Sequence, residues 1–174
     1  MNYVILGGGS VTAEYYLPAL SRLGLQGSTS VVDAGEASLA ELRPRFPAAA
    51  FVNRDFKGFL DGLSAEGSER VVIALPNHLH VEATAQALNK RRHVLCEKPL
   101  SLKPADCIML GEMAARTARV LKVAMSRRYL PSLTAAEDVD TVSMLTPSAH
   151  GSPDVKERWR FATTVDGNVG AGDE

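Results

Sequence analysis

Cysteine, aromatic residues and surplus charge are what this chain of 174 residues has least of. Its two cysteines, Cys96 and Cys107, stand in strand-like and helix-like surroundings. That is too few for a disulfide framework, and neither belongs to a metal-ligand pattern, so both are expected to be buried free thiols of a cytoplasmic protein. A net charge of −1 provides no basic face for nucleic acid or a polyanionic surface. No apolar run reaches the roughly 18 residues that a membrane span requires. Strand-type sequence begins by Asn2 or Tyr3, which leaves no room for a signal peptide. Repeats and low-complexity tracts are missing as well. What remains, 45% hydrophobic and 22% charged, suits a globular protein with a sizeable core.

The most informative stretch lies at the start. The apolar run Tyr3-Val4-Ile5-Leu6 ends in Gly7-Gly8-Gly9, and after Ser10 an amphipathic segment runs from Val11 to Leu23. Strand, glycine turn and helix in that order open a dinucleotide-binding βαβ unit. Gly7 is expected to permit the tight turn, and Gly9 to let backbone approach a pyrophosphate without a Cβ between. Ser10 and Val11 begin a helix whose unpaired N–H groups would face the phosphates. Where the pattern has its third glycine this chain has Thr12, so helix and strand should pack slightly further apart. A second β-rich run, Ser28-Thr29-Ser30-Val31-Val32-Asp33, ends in an acid. An acid there is placed to accept hydrogen bonds from an adenosine ribose diol; the plainer alternative is a turn former or helix cap. It would also repel a 2′-phosphate, since two unit charges about 4 Å apart are worth about 4 kcal/mol at an effective dielectric near 20. Ala34-Gly35-Glu36 supply no cation to receive one. The expected cofactor is therefore NAD, with NADP disfavoured.

Further elements follow in alternation. The first helix carries Pro18 in its interior and should kink there. A helix is expected over Glu36 to Arg45, stopped by Pro44 and Pro47, then a strand Ala50 to Asn53 and a helix around Phe56 to Leu63. Arg70 to Leu75 is a continuous apolar strand, the kind buried on both faces of a parallel sheet. A turn at Pro76 to His80 leads to a helix over Val81 to Lys90. His93 to Cys96 reads as a strand, Pro104 to about Ala118 as a helix and Val120 to Ala124 as a strand. The alternation describes an α/β fold, a doubly wound parallel sheet occupying residues 1–126. Residues 127–174 read differently: a loop, a helix near Ser132 to Glu137, a strand near Val139 to Leu145, and a polar remainder. They are expected to be the opening of an α+β second domain, too short for a core of its own, so the chain looks interrupted.

In an open α/β sheet, ligands bind outside the carboxyl ends of the strands. The chemically interesting residues all fall at that edge: Gly7, Gly9, Ser10 and Val11 after the first strand, Asp33 after the second, and Leu75, Pro76, Asn77 and His80 after the fourth. Glu97 and Lys98 follow the fifth, and Arg128 the sixth. Lys98, between an acid and a proline, is the candidate catalytic residue, its ammonium placed to hydrogen-bond a substrate oxygen. The alternative is a surface lysine paired with Glu97. Asn77 is either a helix cap or, with His78 and His80, part of a nicotinamide pocket. The spacing of the two histidines supports no metal site. His93, at the start of a buried strand, reads as structural. Arg128 either clamps a hydroxylated or anionic substrate or is an ordinary surface cation.

Gly7-Gly8-Gly9-Ser10, Leu17-Pro18-Ala19-Leu20, Ala74-Leu75-Pro76-Asn77-His78-Leu79-His80 and above all His93-Val94-Leu95-Cys96-Glu97-Lys98-Pro99-Leu100 resemble the glucose–fructose oxidoreductase / inositol dehydrogenase / MocA family, continuously from residue 2 to about 131. The resemblance implies a two-domain NAD(P)-dependent oxidoreductase acting on sugars, cyclitols or related polyols and forming homo-oligomers at full length. It implies that Lys98 is the catalytic lysine, Glu97 and Pro99 shape the nicotinamide end, and Asp33 binds the ribose. The family's second domain carries an Asp and a His just beyond a glycine-rich stretch. Gly167 to Glu174 looks like that stretch and no His follows it, so the proton shuttle has no assigned residue. A non-catalytic dinucleotide-binding regulator or sensor, and a redox-neutral glycosidase using NAD, are the alternative readings.

Overall fold

The computed structural model describes residues 2–64 and 67–125, together with two short strands at 141–143 and 164–166. Six strands form one parallel sheet: β1 Tyr3–Leu6, β2 Thr29–Asp33, β3 Ala50–Asn53, β4 Arg70–Ile73, β5 His93–Cys96 and β6 Leu121–Val123, in the order β3-β2-β1-β4-β5-β6. Helices alternate with them: α1 Leu17–Arg22, α2 Glu36–Leu42, α3 Phe56–Asp61, α4 His80–Asn89 and α5 Pro104–Thr117. The order reverses at β1 and β4, the switch point of a doubly wound sheet. Two compact units divide the chain, Met1–Met125 and Ser126–Glu174. In the second, β7 Thr141–Ser143 pairs antiparallel with β8 Thr164–Asp166, and β7 falls within the strand expected near Val139 to Leu145. The helix expected near Ser132 to Glu137, and Arg128, lie outside the described residues.

The period-two alternation of the strands sends side chains to two cores. Val4, Leu6, Val71, Ile73, Val94 and Cys96 face α3, α4 and α5, where Leu60, Ala87, Leu88 and Leu110 are fully buried. Ile5, Val31 and Val72 face the opposite way, against Leu17 and Leu20 of α1 and Leu39 and Leu42 of α2. Burying each of these aliphatic side chains contributes roughly 1.5–3 kcal/mol relative to exposure. The pairing register aligns Leu6 with Val32 and Ile73, and Ile73 with Cys96. Four strands therefore release their chains at one edge, and the loops beginning at Gly7, Ala34, Ala74 and Glu97 meet there.

Three expectations need correction: the end of the fourth strand, the burial of Cys107 and the end of the second helix. The first helix, expected to kink at Pro18, is helical from residue 10 through Arg22. A π-helical turn, Thr12–Tyr16, precedes α1, and the Leu17 N–H reaches back five residues to the Thr12 carbonyl. The wider turn takes up the carbonyl arrangement that a proline disrupts. Strand β4 stops at Ile73 because its partner β1 turns away at Gly7, leaving Ala74 and Leu75 in the loop. Cys107 is half-buried, whereas Cys96 is buried. Helix α2 also ends at Leu42, because Pro44 has no N–H to continue it.

Candidate cofactor cleft and lysine turn

Gly7 adopts φ +104°, a left-handed conformation that L side chains rarely take. A Cβ there would lie 2.4 Å from the Ala74 carbonyl oxygen, so the turn and the β4 loop pack backbone to backbone. Gly9 differs: nothing stands within 4 Å of the position its Cβ would take. It presents bare backbone to open space at the start of the helix. Thr12, in the place of a third glycine, is fully buried and donates its hydroxyl to the Gly7 carbonyl at 2.6 Å. The threonine thus ties the helix to the turn, a role its residue type did not announce.

Asp33 closes the same turn from the other side. Its Oδ2 accepts the Gly8 N–H at 2.7 Å and its Oδ1 accepts the Gly35 N–H at 2.7 Å. It does not cap α2, whose N-cap is Gly35 without a side-chain bond. Each carboxylate oxygen keeps a second lone pair for an incoming hydroxyl. A cleft of about 550 Å³ opens beside it, walled by Gly7, Gly9, Asp33, Leu75 and Pro76, and also by Ser38, Asp55, Phe56 and Leu79, which sequence reasoning missed. Two acids and no lysine or arginine line it. Ser10 and Val11 are exposed at the helix start, outside the cleft lining. A smaller hollow, about 360 Å³, opens among Tyr3, Arg70, His93 and Lys122 and touches none of the predicted cofactor residues.

The lysine turn leaves the sheet one strand further along. The Glu97 N–H still donates to the Ile73 carbonyl at 2.9 Å, and beyond it side chains hold the chain. Glu97 does not pair with the Lys98 ammonium. Its Oε1 accepts the Tyr16 hydroxyl at 2.8 Å and its Oε2 accepts the Lys98 backbone N–H at 3.2 Å. Burial and the neighbouring Glu97 carboxylate push the Tyr16 phenol well above its usual range, so it stays a donor. Lys98 is exposed and has no salt-bridge partner among the described residues. The Lys98–Pro99 peptide is cis.

His80 is fully buried at the start of α4. Its Nδ1 lies 2.7 Å from the Pro99 carbonyl oxygen and its Nε2 lies 2.8 Å from that of Leu75. A ring protonated at both nitrogens donates to both carbonyls, whereas a neutral ring donates to one. The ring is engaged with the loops that border the cleft and does not itself line it. Asn77 opens a 3₁₀ turn, Asn77–Leu79, whose N-cap is Pro76, and its side chain caps neither that turn nor α4. His93 accepts the Val120 N–H at 3.0 Å, a structural bond between strand starts, as expected. Among the described residues no three His, Cys, Asp or Glu side chains come together as a metal site would require.

A parallel sheet in this order, a glycine turn at its switch point and an acid at the end of the second strand define a dinucleotide-binding Rossmann domain. The chain belongs to the Gfo/Idh/MocA family: residues 1–125 match the family model described as an oxidoreductase family with an NAD-binding Rossmann fold. An uncharacterised oxidoreductase of Rhizobium meliloti is 33% identical over 133 residues, 75% of this chain and 38% of that protein. Glucose-6-phosphate 3-dehydrogenase of Bacillus subtilis is 29% identical over 126 residues, 72% of this chain and 34% of that protein. Among solved structures, the WlbA (WbpB) dehydrogenase from Thermus thermophilus in complex with NAD and UDP-GlcNAcA superposes with a TM-score of 0.65 at 30% identity, covering 78% of this chain and 45% of that one. The matched stretch thus covers less than half of each. No helix among the described residues is long and apolar enough to cross a membrane.

Proposed function

We propose that the protein is an NAD-dependent oxidoreductase that moves a hydride between a hydroxyl of a sugar, cyclitol or related polyol and the nicotinamide. The observation that carries this reading is Lys98, on the same sheet edge as the Gly7 turn, with its neighbouring acid already occupied by Tyr16 and the Lys98 N–H. An ammonium not neutralised by Glu97 is available to hydrogen-bond a substrate oxygen and to stabilise charge developing there. NAD, when bound, supplies the hydride acceptor. The backbone at Gly9 and the helix start receive its pyrophosphate, and Asp33 its ribose diol. Ser10, Val11, Leu75, Pro76, Asn77 and Glu97 complete the cofactor's surroundings in this reading. Asp33 and Asp55 together disfavour a 2′-phosphate, which supports NAD over NADP. Residues 127–174 are the beginning of a substrate and oligomerisation domain in this reading, with Arg128 a substrate-binding residue, and the protein is cytoplasmic.

Two measurements test it. Calorimetric titration of the chain with NAD and NADP should show NAD binding at least about tenfold tighter, roughly 1.4 kcal/mol; the reverse order overturns the cofactor assignment. NADH formation is then followed over a panel that includes glucose 6-phosphate, UDP-sugars and free cyclitols. Lys98→Ala should lower turnover by about 100-fold, the scale of one lost transition-state donor, with NAD affinity unchanged. Unchanged turnover removes Lys98 from the chemistry. NAD binding without turnover on any member of the panel favours a dinucleotide-binding regulator.

A further inference from the structure

We propose that Tyr16 and His80 are positioning residues for Lys98, holding the residue on either side of it from two different helical segments. The inference rests on the reading of Lys98 as the reacting lysine. Beyond the Glu97 N–H the turn has no sheet bond to direct it, so the lysine's place is set by its neighbours. On one side, the Tyr16 hydroxyl holds Glu97 Oε1 at 2.8 Å. On the other, the His80 ring meets the Pro99 carbonyl at 2.7 Å, and its second nitrogen meets the Leu75 carbonyl at 2.8 Å. The imidazole therefore ties the lysine turn to the loop that walls the cofactor cleft.

Each contact has a chemical consequence of its own. With Oε1 on the phenol and Oε2 on the Lys98 N–H, the Glu97 carboxylate is kept from folding onto the ammonium. Without the phenol, Oε1 is free to pair with Nζ and withdraw it from a substrate oxygen. Tyr16 ends the π-helical turn Thr12–Tyr16, so the same local widening that accommodates Pro18 delivers the phenol to Glu97. His80 acts on backbone alone. It fixes the carbonyl of Pro99 against that of Leu75, and hence the distance between the lysine turn and the cleft wall.

The test uses the whole 174-residue chain and needs no substrate. Amines are acylated with a limiting amount of an acetylating ester, and each lysine is quantified by peptide mass spectrometry, with Lys57 and Lys122 as internal references. Tyr16→Phe should slow labelling of Lys98 by about threefold or more, the scale of one hydrogen bond, while the reference lysines and NAD affinity stay within about twofold. His80→Gln keeps a polar group near the Nε2 position and loses the Nδ1 contact with the Pro99 carbonyl; it should change Lys98 labelling by a similar factor. His80→Asn keeps a polar group near Nδ1 and loses the Leu75 contact, so it too breaks the link and should change Lys98 labelling. Lys98 labelling that follows the references in both Tyr16→Phe and His80→Gln overturns the proposal, as does a uniform change at all lysines. Should His80→Gln fail to fold, Tyr16→Phe decides, since it removes a single oxygen. A wild-type chain with this labelling pattern but no NADH formation upholds the positioning and sinks the oxidoreductase reading, so the two failures are told apart.

Discussion

Gly7 and Gly9 stand two positions apart in one turn and are glycine for different reasons. At Gly7 the backbone has φ +104° and a Cβ would come within 2.4 Å of the Ala74 carbonyl oxygen. Gly7→Ala should therefore cost about 3 kcal/mol or more in urea unfolding, combining left-handed strain with a backbone clash. At Gly9 the surroundings are open. Gly9→Ala should leave stability within about 0.5 kcal/mol and weaken NAD binding by about tenfold, because the new methyl occupies space that a pyrophosphate would use. Equal losses of stability at the two positions would mean that Gly9 serves the fold and not the ligand. Residue type alone pointed to both roles, through strand, turn and helix in sequence. It was silent on the bond between Tyr16 and Glu97, 81 positions apart, because a single tertiary hydrogen bond leaves no periodic trace. Thr12 and His80 were noticed but their bonds were not: their side chains meet backbone carbonyls, which every residue type offers alike.

Elements were legible where one physical signal determined them. Strands β3 and β5 have the bounds expected from the sequence, since short apolar and β-branched runs bounded by turn residues leave little choice. Helix ends were less legible, because they are set by whichever group satisfies the last backbone donors. Helix α3 shows this. Asp55 caps it, its Oδ1 accepting the Gly58 N–H at 2.8 Å, and the same residue lines the cofactor cleft. The two duties separate by substitution. Asp55→Ala should cost about 1 kcal/mol of stability, and Asp55→Ser, which restores a capping oxygen, should recover most of it. Both remove the charge, so both should narrow the preference for NAD over NADP in calorimetry. A preference unchanged in both variants leaves Asp33 as the only acid that acts on the 2′ position.

At the scale of the whole molecule, the lysine turn and its supports bring together groups that hold their protons unusually tightly. Burial pushes the Cys96 thiol from 9.0 up to about 11. Burial, with Glu97 beside it, raises the Tyr16 phenol from its ordinary 10.0. Both groups are neutral when protonated, and both keep the proton in the fold to higher pH than in the unfolded chain. Below pH 9 each is protonated in both states, and the contribution to stability is complete. As pH rises from 9.0 toward about 11, the unfolded thiol ionises while the folded one does not, so the unfolded chain gains and stability falls. Tyr16 adds to the fall from pH 10.0 upward. The slope for one such group is at most about 1.4 kcal/mol per pH unit. Urea midpoints measured across this range should therefore decline from pH 9 in the wild type and from about pH 10 in Cys96→Ala. In Tyr16→Phe the onset should stay near 9 and the later slope should lessen. A wild-type midpoint that stays level to about pH 10 would mean that water reaches Cys96 in the native state. The core beneath the lysine turn would then be open, and the fixed placement of Lys98 would lose its foundation.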